Sequence, residues 1–250
     1  MRGLGTVINV GAVLVGAGLG VLVGNRLPNR TRDTVTDALG LVTLVIGALN
    51  VVAIRDASFR HAVGANWPLL VVLGALVIGG IAGSLLRVEA RLDAAGGWMQ
   101  AKLTRGGASG RDQFIEGFVT ASLLFCVGPL AILGSLSDGL GKGIDQLVLK
   151  SALDLFSAAA FAATLGWGVA AAAVPLAVVQ GTVTVFGITV GSFLPDAQIA
   201  AITATGGILL LGLGFRLLRV RPVAVADLLP ALVVAPVITA IVGGVARWRS

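Results

Sequence analysis

Apolar runs about twenty residues long recur along the whole chain, and segments of that length have few folds open to them. Hydrocarbon offers no water to a backbone N–H or C=O, so only helices and closed barrels cross a bilayer. Barrel strands read as short alternating segments, whereas these runs are continuous. The chain is 56% hydrophobic and 12% charged, with a mean hydropathy of +0.98. Soluble domains carry roughly 25% charged residues. The fold class is all-α, a polytopic helical membrane protein. Nearly all of the 250 residues fall in spans, so residues 1–250 read as one integral domain without a soluble catalytic module.

Turn and loop residues divide the chain into eight transmembrane helices, at about 5–24, 33–54, 67–86, 113–136, 146–165, 169–192, 197–218 and 225–246. Residues 146–192 are too long for one crossing even with tilt, so the tight turn Leu165-Gly166-Trp167-Gly168 must separate spans five and six. The first apolar run lacks a basic leader followed by a small-residue cleavage site and reads as a retained span. One connection, 87–105, is long. It repeats Val88, Leu92, Ala95, Met99 and Leu103 at helical spacing, opposite Arg91, Asp93 and Lys102. That pattern predicts an interfacial helix with Trp98 at headgroup depth, followed by a flexible link at 106–110.

The formal charge of +6 sits in short loops, which argues for orientation and contact with anionic lipid and against nucleic acid. The loops after spans one, three, five and seven hold eleven of the 18 Lys and Arg residues. Both termini are therefore expected outside the cytoplasm. One cysteine, Cys126, and one histidine, His61, exclude a disulfide framework and a zinc or iron–sulfur cage, and no cofactor is implied.

Two stretches match without a gap. Gly20-Val-Leu-Val-Gly24-Asn-Arg-Leu27-Pro28 is echoed by Gly187-Ile-Thr-Val-Gly191-Ser-Phe-Leu194-Pro195. The same offset pairs Thr36 with Thr203, Gly40 with Gly207, Leu44 with Leu211 and Gly47 with Gly214. The repeat copies cover about 5–54 and 169–218, and the central helices at about 113–165 belong to neither. Five crossings separate each matched pair of spans, and an odd number reverses direction. The copies thus form an inverted internal repeat, a plan that in transporters places a binding site near the midplane. Small-residue rows at Gly16, Gly20, Gly24 and at Ala75, Gly79, Gly83 are packing faces, within the chain or in a homo-oligomer, with a dimer favoured.

A charge inside a span is costly unless paired or hydrated, which makes each one a functional candidate. Asp154 lies well inside span five, with Ala158, Ala162 and Gly166 at four-residue steps beyond it, so it faces a neighbouring helix and not lipid. It is either an ion or proton site, with Na+ as the metal it would take, or the partner of Lys150 one turn earlier. Glu116, one turn into span four, is a second carboxylate ligand or an interfacial partner of Arg111. Thr120 and Ser122 follow it and add the hard oxygen ligands that Na+ or a proton relay needs. At Gly128-Pro129 the helix breaks. Proline has no N–H, so the carbonyl of Phe125 loses its partner and is free for a cation, unless neighbours satisfy a plain kink. The amides Asn9 in span one and Gln180 in span six are interhelical glue or substrate ligands, and Gln180-Gly-Thr182-Val-Thr184 is polar enough to line a cavity.

Several of these motifs occur together: Glu116-Gly-Phe-Val-Thr120-Ala-Ser122, Cys126-Val-Gly128-Pro129, Asp138-Gly139, Lys150-Ser-Ala-Leu-Asp154, Thr164-Leu-Gly-Trp-Gly168 and Gln180-Gly181. With Gly5-Thr6-Val-Ile-Asn9 and Asp227-Leu-Leu-Pro230-Ala they resemble the YqgA/YdfK family of bacterial inner-membrane proteins, over essentially the whole chain. The resemblance implies an inner-membrane location and a multi-pass architecture and points toward cation transport. It assigns no ligand residue.

The function expected is transport of a small ion across the bacterial cytoplasmic membrane. A monovalent cation, Na+ or H+ coupled, would pass a midplane site near Asp154 and the broken span four. Transport of an anion or small organic acid is opposed by the two carboxylates. A structural or sensory membrane protein would use the acids for packing alone. No hydrolase serine motif, metal constellation or nucleotide loop speaks for an enzyme.

Overall fold

Glycine and proline end the apolar runs close to where the sequence places the turns. A computed structural model describes residues 2–24, 28–103, 110–126, 129–189 and 194–248, and its regular secondary structure is entirely helical. The helices are α1 (Leu4–Gly24), α2 (Asn29–Val51), α3 (Ala57–Val63), α4 (Pro68–Leu86), α5 (Val88–Leu103) and α6 (Arg111–Cys126). They continue with α7 (Pro129–Gly139), α8 (Asp145–Leu165), α9 (Gly168–Ala171), α10 (Ala173–Thr189), α11 (Asp196–Leu217) and α12 (Ala231–Trp248). Short 3-10 turns at Val52–Arg55 and Val225–Leu228 extend α2 and precede α12.

Seven segments among the described residues are long and apolar enough to cross a membrane: Leu4–Gly24, Asp33–Arg55, Pro68–Leu86, Asp145–Leu165, Gly168–Thr189, Asp196–Leu217 and Val225–Gly244. α6 with α7 meets the same test as one broken segment, bent by 61°. The protein is thus all-α and multi-spanning. Pro68 opens α4 in the first turn, where a missing N–H leaves nothing unpaired. Gly166 closes α8 at a φ of 74°, a left-handed conformation that makes the turn before α9. Outside the spans, Asp56 caps α3, and the hydroxyl of Ser58 above all holds its carboxyl below the usual range. The helix expected at 87–105 is α5, with Trp98 exposed and the Lys102 ammonium 4.2 Å from the Trp98 ring centroid. Gly128, most of the 106–110 link and the repeat positions 25–27 and 190–193 lie outside the described residues.

Two compact units form, each from two stretches of chain: Met1–Leu39 with Arg91–Phe193, and Gly40–Ala90 with Leu194–Ser250. In the first, α1 lies along α8 with the two chains running the same way. A Cβ built on Gly16, Gly20 or Gly24 would stand 2.3, 2.1 and 2.3 Å from the carbonyl oxygens of Leu155, Ala159 and Ala163. No side chain fits there, so this glycine row packs inside the chain. At the start of α1, the buried Asp138 carboxylate accepts the N–H groups of Gly3 and Gly5, each at 2.9 Å. These are donors that a helix end leaves unpaired, and the negative charge suits the N-terminal dipole. α10 runs antiparallel to α1, with Thr6 and Thr184 hydroxyls 3.2 Å apart.

In the second unit, α2 from Gly40 onward packs antiparallel on α11. A Cβ on Gly47 would meet the Gly207 oxygen at 2.8 Å and Leu211 at 2.9 Å, and one on Gly214 would meet Leu44 at 2.6 Å and the Gly40 oxygen at 3.1 Å. α4 packs antiparallel on the α12 region, where Gly79 faces Ala231 and Gly83 faces the Asp227 carbonyl. The second small-residue row is internal as well. Phe59, Val71, Val72, Ala201 and Ala235 fill the core between α3, α4, α11 and α12. Glu89 ties the end of α11 to the turn before α12: one carboxylate oxygen pairs with Arg216 and the other accepts Ala226 N–H at 2.8 Å.

Candidate functional site

Asp154 is the tenth of the 21 residues of α8, so it sits at the middle of the helix that reads as span five. It is buried, at 7% exposure, and so is Lys150 at 6%. The two form an ion pair one helical turn apart. Asp154 Oδ2 also accepts a hydrogen bond of 3.0 Å from the Asn9 amide nitrogen of α1. A desolvated pair of this kind is held by such second partners, since its Coulomb attraction alone hardly offsets the loss of water. The partner reading of Lys150 is therefore present in the structure, at the depth expected of a functional carboxylate.

Asn9 and Gln180 are both fully buried. Among the described residues, Asn9 Oδ1 and both amide atoms of Gln180 have no hydrogen-bond partner. Thr6 and Thr184 fix the register of α1 against α10, and Asn9 and Gln180 follow one turn inward on those same two faces. The two amides consequently stand at the same height, beside the Lys150–Asp154 pair that Asn9 touches. A buried amide atom without a partner is unfavourable by about 1–3 kcal/mol. Three such atoms are therefore left unpaired near the ion pair, among the described residues.

The remaining candidates divide by depth. Phe125, at the last turn of α6, is fully buried, and its ring centroid lies 5.9 Å from the Lys150 ammonium, within cation–π reach. That brings the end of α6, just before the break, to the ion pair. Ser122 is buried and donates its hydroxyl proton to the Phe118 carbonyl at 2.6 Å, which leaves its oxygen lone pairs to act as a ligand. Thr120 is buried on the same helix. Pro129 begins α7, while Gly128 falls outside the described residues, as does any account of the freed Phe125 carbonyl.

Glu116 does not join the cluster. Gln113 donates to the Thr164 carbonyl at 2.6 Å, and Gly117 faces Leu165. Leu165 is eleven residues beyond Asp154, roughly 16 Å along the helix at about 1.5 Å per residue. Glu116 is half-buried near that end, with no partner among the described residues. Thr182 turns back to the Val178 carbonyl at 2.6 Å and is exposed, so of the polar stretch in span six only Gln180 and Thr184 face inward. Thr6 is not a candidate in the sequence, although its three-residue step to Asn9, like the four-residue step from Gln180 to Thr184, is about one helical turn and puts it on the Asn9 face. The described residues contain no group of three or more His, Cys, Asp or Glu side chains able to hold a metal ion, and a monovalent ion on amides and one carboxylate is a different donor set.

The family described as "Protein of unknown function (DUF554)" matches residues 4–240. The protein YqgA of Escherichia coli (strain K12), described as uncharacterised, is 32% identical over 233 residues, covering 93% of this chain and 94% of the relative. The Bacillus subtilis (strain 168) protein YdfK, described as an uncharacterised membrane protein, is 29% identical over 234 residues, covering 94% of each. No solved structure matches the chain.

Proposed function

The chain belongs to the DUF554 family that includes YqgA and YdfK, and we propose that it carries a small monovalent cation, Na+ or H+ coupled, across the bacterial cytoplasmic membrane. The observation that carries this reading is the mid-span Lys150–Asp154 pair beside the unpartnered amide atoms of Asn9 and Gln180. Amide, hydroxyl and carboxylate oxygens are the ligands a hard cation prefers. Lys150 already occupies the carboxylate as a tethered cation, so an arriving ion must displace the ammonium. If the ammonium releases its proton as the ion enters, the site stays neutral throughout. Cation entry then exchanges with a proton.

The inverted repeat supports a transport machine. Under the 167-residue offset that pairs Gly40 with Gly207 and Gly47 with Gly214, the α2–α11 contacts come as mates. Gly47 meets Leu211 and the Gly207 oxygen, and Gly214 meets Leu44 and the Gly40 oxygen. Gly40 meets Leu217 and Leu218, and Gly207 meets Asn50 and Val51. A local two-fold axis in the membrane plane would give this reciprocity, which supports the inverted-repeat reading. The parallel run of α1 and α8 adds a parity argument. Parallel spans are an even number of steps apart along the chain, and α8 is an even number of steps from α1 when α6 and α7 together make one broken crossing, which supports the eight-span reading. Eight spans would put both termini on one side, and the basic loops favour the extracytoplasmic side. Reporter tags at the two ends should both read outside, and tags on opposite sides would break the eight-span plan.

The decisive assay is flux into proteoliposomes under a Na+ or pH gradient. Wild-type protein should move Na+ or protons, Asp154→Asn should abolish movement, and Glu116→Gln should leave most of it, because Glu116 stands away from the cluster. Full flux through folded Asp154→Asn protein would leave the pair with a structural role only.

A further inference from the structure

An apolar groove of about 840 Å³ opens on the first unit, between α1 and α10. Its walls are Val10 and Leu14 on one side and Ala177 and Val178 on the other, with Trp98, Lys102 and Trp167 at one end. From Trp167 to Val178 is eleven residues, roughly 16 Å of helix. Half of a hydrocarbon core about 30 Å thick is about 15 Å, so the groove is as long as one leaflet is deep. Its end is marked as an interface by two half-exposed tryptophans, the side chains that settle at headgroup level. The same end carries two basic side chains. The Lys102 ammonium lies over Trp98, and the Arg111 guanidinium packs against Gly97, the residue before it.

We infer that this groove is a binding site for one anionic phospholipid of the leaflet next to the α5 connection, with an acyl chain along α1 and α10 and its phosphate at Lys102. The charge at the mouth selects the headgroup and the apolar walls select a chain. The site is independent of what the buried amides carry. Its inner end, at Val10 and Val178, adjoins the level of Asn9 and Gln180, so a chain lodged there also braces α1 on α10.

Native mass spectrometry of the purified full chain, with phosphatidylglycerol or phosphatidylcholine added, tests it. Wild-type protein should retain one phosphatidylglycerol in preference to phosphatidylcholine. Lys102→Gln should lower that preference about fivefold, the ratio matching roughly one basic residue's attraction to an anionic surface. Ala177→Phe, which fills the groove, should lose retained lipid of both kinds, with the melting temperature of each variant recorded as the check on folding. Equal retention of the two lipids by the wild type would overturn the site. So would wild-type lipid retention by Ala177→Phe, and if that variant also changed the oligomeric state, the groove would be a contact between copies of the chain.

Discussion

Lys150→Met and Asp154→Asn should each lower the melting temperature of the purified protein by about 10 °C, while the double variant should lose only a few degrees. Removing one member of a buried ion pair leaves the other charge desolvated and alone, unfavourable by about 3–5 kcal/mol. For a chain of this size that converts to roughly 10 °C. Replacing both members removes the charge problem, and the asparagine at 154 still accepts the Asn9 amide that bonds the carboxylate at 3.0 Å. The double variant should therefore be well folded. Under the transport reading it should also be inactive, because no carboxylate remains for the cation. Single variants that melt like the wild type would show that water reaches the pair, and the burial argument would fail. A stable double variant with wild-type flux would retain the packing role and end the transport role.

The depth of Asp154 was legible because it stands near the middle of an apolar run, where a carboxylate has no cheap surface. Its partner was legible too, as Lys150 precedes it by one turn. Glu116 reads as shallower in sequence, one turn into its span, but an acid there reads the same whether its neighbours close over it or not. Its distance from Asp154 depends on the register of α6 against α8, set by Gln113 on Thr164 and by Gly117 on Leu165. No local pattern states that register. For Ser122 and Thr182 the sequence does not show that the hydroxyl proton returns to the carbonyl four residues back, as it does in both, which leaves only the oxygen lone pairs for a neighbour. Asp138 shows the opposite case. Its role depends on the first turn of α1, some 133 residues away, so only the folded chain brings it to Gly3 and Gly5.

Gly20→Leu should prevent recovery of folded protein, whereas Gly18→Leu, two residues away on the same helix, should have no effect on stability. Between helices in lipid there is little hydrophobic drive, so close packing of small residues supplies much of the association. A Cβ at Gly20 would stand 2.1 Å from the Ala159 oxygen, against nothing within 4 Å of one at Gly18. Backbone cannot yield as a side-chain tip can. Even alanine at 20 must push α1 off α8, at about 1–3 kcal/mol for overpacking, and leucine requires a larger separation. The same displacement would carry Asn9 away from Asp154, since both contacts belong to one α1–α8 interface. Size-exclusion profiles and melting curves in mild detergent, with Gly18→Leu as the matched control, read the difference. A Gly20→Leu protein that stayed folded but shifted from dimer to monomer would mean that the glycine row faces another chain and not α8. Equal stability of the two leucine variants would mean that α1 does not lie against α8 at all, and the buried constellation would lose the helix that supplies Asn9.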